Sequence, residues 1–178
     1  WISSQDDPGV IRVLKLLQKD IRRVNGTIPD LFIDTIPESK EMVLVGTLGK
    51  NPVLDDLVKN KKLNVEGIAG KWESCLIQVI DDPFPRIERA LVIAGSDKRG
   101  TIYGIFDLAE KIGVSPWYWW ADVPVKKKSD LYILPGKYTL GEPAVKYRGI
   151  FINDEAPALS GWAIEKFGGF NSKFYENV

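Results

Sequence analysis

The 178-residue sequence contains no histidine, one cysteine and one methionine, and these scarcities close several classes of chemistry. Without histidine the chain cannot supply Ser-His-Asp or Cys-His machinery, or any zinc site with an imidazole ligand. Acid–base work within it falls to carboxylates. Cys75 stands alone, so there is no internal disulfide, and its apolar strand-like surroundings make it a buried, inert thiol. The redox compartment stays open. Net charge is lacking too: 24 basic residues balance 24 acidic ones, so no overall field draws nucleic acid or an anionic membrane. The basic run Lys126-Lys127-Lys128 sits between Pro124 and Asp130 and reads as a solvated turn. No apolar segment is long enough to span a bilayer. The chain opens at Trp1 with no Met, basic n-region or cleavage pattern, so any export signal is expected to have been removed or left out.

What is present is a hydrophobic content of 44%, ample for a core, at a length that suits one domain or one domain plus a piece of another. Asp6-Asp7-Pro8 offers an N-cap with proline at the first helical position. Val10, Val13, Leu14, Leu17, Ile21 and Val24 then make one helical stripe that ends at Asn25-Gly26. Strands are expected over Leu31 to Ile36, Met42 to Val45, Trp72 to Ile80 and Arg89 to Gly95, with a short helix from Asn51-Pro52 and a loop marked by Pro83 and Pro85. Asp130 to Leu134 and Lys137 to Leu140 read as an antiparallel pair turned by Pro135-Gly136. The pattern is an α/β domain with a mixed sheet flanked by helices, and Gly141-Glu142-Pro143 reads as its boundary, giving a leading domain over 1–141 and the start of another over 142–178.

Three stretches stand out. Gly95-Ser96-Asp97-Lys98-Arg99-Gly100 turns a strand directly into a helix, a place receptive to anions, with Lys98 and Arg99 adding charge. It is neither a P-loop nor a dinucleotide fingerprint, so no nucleotide cofactor is expected, and a purely structural turn reads equally well. Trp117-Tyr118-Trp119-Trp120 places four rings in succession; in an extended segment one pair is buried and the other available, for domain packing or for stacking on sugar. Finally, the apolar run Ile150 to Ile152 stops at Asn153-Asp154-Glu155. Its brevity, β-branched content and preceding Gly149 favour a buried strand with a site at its tip, although an ordinary strand exit with an Asx turn has the same pattern. A helix capped at Ser160 is expected over Gly161 to Phe167, and the start of another over Asn171 to Val178.

Three motifs together resemble glycoside hydrolase family 115, the xylan α-1,2-glucuronidases: the strand-to-helix run from Gly95 to Gly104, Gly113-Val114-Ser115-Pro116-Trp117-Tyr118-Trp119-Trp120-Ala121-Asp122-Val123-Pro124, and Tyr147-Arg148-Gly149-Ile150-Phe151-Ile152-Asn153-Asp154-Glu155. The first is shared more widely, with family 67 α-glucuronidases and family 20 hexosaminidases. The resemblance implies a leading α/β domain followed by a truncated TIM barrel whose first strand begins at Tyr147. It also implies inverting removal of glucuronic acid, or its 4-O-methyl form, from glucuronoxylan or its oligosaccharides, in the periplasm or outside the cell. Asp154 and Glu155 would be candidate catalytic carboxylates, and Asn153, Trp162, Trp119, Trp120, Lys98 and Arg99 substrate contacts, with no metal or cofactor. The partners implied are the remaining barrel and later domains of the same protein, and a second copy in a homodimer of the full-length form. The chain alone would be inactive, because a barrel needs about 250 residues. A non-catalytic carbohydrate-binding or scaffolding module is the alternative.

Overall fold

Alternation along three strands decides the architecture. In β1 (Glu41–Thr47), Met42 and Leu44 join one apolar cluster while Val43 and Val45 join another. The same division runs through β2 (Cys75–Phe84), with Leu76 and Ile80 opposed to Ile77 and Val79, and through β3 (Ile87–Gly95), with Ala90, Val92 and Ala94 opposed to Leu91 and Ile93. A sheet apolar on both faces must be covered on both. Helices α1 (Pro8–Asn25) and α3 (Lys98–Ile112) cover one face, and α2 (Pro52–Lys59) with the following Leu63 and Ile68 covers the other. A computed structural model describes residues 1–118 and 121–178 of this α/β chain.

The sheet order is β1-β3-β2-β4, with β4 spanning Lys137–Leu140. β1 and β3 are parallel, Glu41 opposite Arg89 through Thr47 opposite Gly95, whereas β2 is antiparallel to both of its neighbours. The helix ends follow their capping residues. Asp7 accepts from the Gly9 amide ahead of α1, Asn51 from the Leu54 amide ahead of α2 and Asp97 from the Gly100 amide ahead of α3. Each places a side-chain oxygen on one of the four N–H groups that a helix start leaves without a partner.

Four expectations about strands and loops fail, each for a visible reason. Leu31 to Ile36 forms no strand beyond a single bridge between Ile33 and Ile2, because Asp34 turns with φ 62° and its carboxylate takes the Ser4 amide. Pro83 and Pro85 do not end β2: the strand runs to Phe84, the register shifts between Asp81 and Phe84, and Pro85-Arg86 makes a two-residue turn with Arg86 at φ 75°. Pro83 falls within that irregularity, where the missing amide costs no ladder bond. Residues 130–134 form no strand, and β4 instead joins the edge of β2, since an isolated two-stranded ribbon is marginal in water. Ile150 to Ile152 forms no strand either: a strand needs a neighbour for its backbone groups, and no described residue provides one.

The chain divides into two compact units, Trp1–Pro143 and Ala144–Val178. The second contains α4 (Ser160–Phe167) and α5 (Ser172–Asn177), gathered around the buried ring of Phe174, whose edge-to-face neighbours are Phe170 at 4.8 Å and Phe167 at 5.7 Å. Ser160 is the first residue of α4 and caps nothing. Every residue of the two sheet clusters precedes position 144. A chain shortened to residues 1–143 is therefore expected to unfold in a single cooperative transition, which a thermal melt followed by circular dichroism checks; a broad, non-cooperative loss of signal would contradict it.

Candidate functional site

In open α/β sheets, ligands sit beyond the carboxyl ends of strands where adjacent connections leave on opposite faces. That condition holds between β1 and β3, since β1 leads to α2 on one face and β3 to α3 on the other. The crevice is filled by the protein's own groups. The Leu48 amide donates to the Gly95 carbonyl at 2.9 Å, and the hydroxyls of Thr47 and Thr101 lie 2.7 Å apart. The buried Asp6 carboxylate accepts the Thr47 amide at 2.7 Å and the Asp7 amide at 2.8 Å.

The turn that carries Lys98 and Arg99 is closed in the same way. Asp97 uses both carboxylate oxygens, one on Gly100 N and one on Glu73 N, and the side chain of Ser96 both accepts from the Ser74 amide and donates to the Ser74 carbonyl. Glu73 is buried, holds φ 49°, and pairs with Arg99 at 2.9 Å; Lys98 lies 3.8 Å from Asp7. The anion at this helix start is thus an internal carboxylate. Both glycines of the run are there for close approach: a Cβ on Gly95 would come 2.1 Å from the Thr101 hydroxyl, and one on Gly100 would come 2.2 Å from the Ser74 carbonyl oxygen. Sequence reasoning missed Asp6 and Glu73, because their partners lie 41 and 26 residues away and no local pattern announces them.

Asn153, Asp154 and Glu155 lie in the second unit, all exposed. The Asn153 side-chain oxygen accepts the Glu155 amide at 3.1 Å, and its backbone carbonyl accepts the Leu159 amide at 3.2 Å. Asn153 therefore forms the Asx turn that the sequence allows, and it presents the two carboxylates in succession on the loop. Trp162, on α4, lies edge-to-face with Phe167 at 5.2 Å and Phe174 at 6.2 Å, as part of the aromatic cluster of that unit. The substrate contacts expected of Trp119 and Trp120 lie outside the described residues. Of their neighbours, Tyr118 packs against the core and Trp117 is 62% exposed.

Cys75 is fully buried, and burial pushes its thiol up to about 11. It borders a cavity of about 330 Å³ between α3 and β4, with Asp107, Lys111 and Tyr138 around it. Among the described residues no cluster of acidic, cysteine or histidine side chains has the geometry to hold a metal ion.

Two outcomes follow from this geometry. Gly100→Ala is expected to lower stability by about 1–3 kcal/mol through overpacking against Ser74, read as a fall in the urea midpoint; an unchanged midpoint would mean that the turn yields freely. Cys75 keeps its proton in the folded chain at pH values where the unfolded chain, with a pKa near 9, has lost it. Stability contributed by the buried thiol is then present below pH 9 and declines as pH rises toward 11. At pH 8 a thiol-reactive dye is expected to label the native chain slowly and the urea-unfolded chain quickly.

Comparison with known proteins joins these observations. Residues 140–178 match the model of "Glycosyl hydrolase family 115". No curated protein matches the sequence significantly. Among solved structures, the chain is similar to a family 115 4-O-methyl-α-glucuronidase with specificity for decorated arabinogalactans, at 31% identity and a TM-score of 0.74 over 97% of this chain. The chain spans 21% of that enzyme's length. The chain's last 39 residues match the family model and nearly all of its fold is shared with part of a family enzyme, and both matches support an amino-terminal portion of a glycosyl hydrolase family 115 protein.

Proposed function

We propose that the chain is the amino-terminal part of an α-glucuronidase that removes glucuronic acid, or its 4-O-methyl form, from xylan side chains by inverting hydrolysis, and that it is inactive by itself. The observation that carries this reading is where the family match falls: residues 140–178 include the loop with Asn153, Asp154 and Glu155. In the first unit, by contrast, the crevice at the strand ends is occupied by the fold's own hydrogen bonds. The exposure of Tyr147 (86%) and Phe151 (91%) supports a place for this segment as the first strand of a (β/α)8 barrel, where neighbouring strands would cover it. The leading domain then ends near Gly141.

Inverting hydrolysis needs one carboxylic acid to protonate the leaving oxygen and one carboxylate to activate water, about 6.5–9.5 Å apart. Successive loop residues do not straddle a glycosidic bond, so Asp154 is assigned to the attacking water or the sugar hydroxyls and its partner to a later strand. Glu155 takes the role of Asp154 if the loop turns by one residue. Asn153 orients the loop through its bond to the Glu155 amide. Trp162, Trp119, Trp120, Lys98 and Arg99 remain substrate contacts only as part of this proposal, Lys98 and Arg99 keeping exposed side chains despite their ion pairs. The enzyme would act in the periplasm or outside the cell, with the later domains and a second copy as partners; no helix among the described residues is long and apolar enough to cross a membrane.

A second reading of the polymer has a specific observation behind it. The 31%-identical enzyme is specific for decorated arabinogalactans, so the shared chemistry is the uronic acid and the polysaccharide beneath it is the variable. Assaying the complete enzyme on glucuronoxylan and on uronate-decorated arabinogalactan separates the two by which polymer releases acid. Asp154→Asn in the complete enzyme is expected to lower turnover by about 10²–10⁴-fold with little change in melting temperature. Unchanged turnover with lowered stability would reduce Asp154 to a turn residue. The 178-residue chain should release no uronic acid from either polymer.

A further inference from the structure

The turn ahead of β2 presents three consecutive backbone amides, and each donates to a different side-chain oxygen. The Trp72 amide donates to Glu142 Oε1 at 3.1 Å, the Glu73 amide to Asp97 Oδ2 at 2.8 Å and the Ser74 amide to Ser96 Oγ at 3.0 Å. Glu73 is left-handed, at φ 49°, and successive amides around such a residue form a concavity that takes anions. Here the protein's own carboxylates fill it. Two of the three acceptors stand at the start of α3, whereas Glu142 lies 70 residues from Trp72 and directly before Pro143, where the first unit ends.

The turn that receives Glu142 is held independently of it. The Ser74 carbonyl accepts the Ser96 amide at 2.9 Å, the Ser74 hydroxyl donates to the Trp72 carbonyl at 3.1 Å, and Arg99 pairs with the buried Glu73 carboxylate at 2.9 Å. Cys75, the next residue, enters β2 and lies opposite Leu140, the last residue of β4. The Trp72–Glu142 contact therefore continues the antiparallel approach of β2 and β4 past the end of their ladder, with a side chain in place of a backbone acceptor. Pro143 adds a restriction of its own, since it fixes its own φ and confines the residue before it to extended conformations. Gly141 is the joint that the contact locks: nothing lies within 4 Å of where its Cβ would stand, and a glycine on an open surface reaches both signs of φ.

We infer that Glu142 is the catch of a clasp that holds the connector leaving β4 against the 72–74 turn, so that residues 141–143 move with the first unit instead of acting as a free hinge. The sequence alone reads these residues as a plain boundary. Because the catch is one exposed hydrogen bond on an otherwise complete fold, it opens locally while the unit stays folded. Glu142 acts in this way whatever the complete protein hydrolyses.

Backbone ¹⁵N relaxation of the 178-residue chain tests it, with β2 as the internal reference. Order parameters at Gly141 and Glu142 are expected near 0.85, about the value of rigid backbone, and to fall below about 0.6 in Glu142→Ala. The Trp72 amide should exchange with solvent about tenfold faster in the same variant, while the melting temperature stays unchanged. Glu142→Gln keeps an oxygen acceptor at the same reach and should resemble the unaltered chain in both measurements. Low order parameters at Gly141 and Glu142 in the unaltered chain, or values that Glu142→Ala leaves as they were, overturn the proposal. It fails equally if Glu142→Gln loosens the connector as much as Glu142→Ala does, because the bond to Trp72 would then not be what holds it.

Discussion

The first unit depends on one constraint: β3 lies between two other strands and is apolar on both sides. Ala90, Val92 and Ala94 meet the layer of α2, and Leu91 and Ile93 meet α1 and α3, so both layers must form together for the strand to leave water. Burial of this kind, worth roughly 25 cal/mol per Å² of apolar surface, is what offsets the entropy of ordering the chain. The polar groups at the strand ends are then forced to find partners at home. Asp6, Asn51, Asp97 and Ser96 each satisfy backbone amides that burial would otherwise leave bare.

That same satisfaction shapes the functional reading. A crevice between strands that diverge to opposite faces is the usual ligand position in such folds, yet here an aspartate carboxylate and two threonine hydroxyls already occupy it. The glycine-rich turn before α3 likewise spends its open space on the approach of Thr101 and the Ser74 carbonyl rather than on a phosphate. What the first unit offers to solvent is its rim, and what the second offers is a loop of three polar residues after an apolar run that is 70% exposed at Ile150. An apolar run left uncovered next to adjacent carboxylates is the feature that the glucuronidase proposal accounts for.

Local chemistry made much of this fold legible. Asp7-Pro8, Asn51-Pro52 and Asp97 announce three helix starts, and the short apolar runs of β1 and β3 announce two interior strands, because caps and periodicity are written within a few residues. What could not be read locally was partnership. Lys137 to Leu140 was expected to pair with 130–134 and pairs with β2 instead; Glu73 finds Arg99 across 26 residues; Lys127 finds the end of α1 across 104. The site was legible only in part for the same reason. Asn153, Asp154 and Glu155 stand out as a polar stop after an apolar run, and that pattern allows the Asx turn at Asn153, but the partners that would make Ile150 to Ile152 a strand are not among the described residues.

The claim that the segment from Tyr147 is the opening strand of a catalytic barrel is tested most directly by amide hydrogen exchange at Ile150, Phe151 and Ile152, compared between the 178-residue chain and the complete enzyme. The account predicts fast exchange in the chain, where these residues are unpaired, and protection in the complete enzyme, where strands on both sides take up their backbone groups. Fast exchange in both would contradict it.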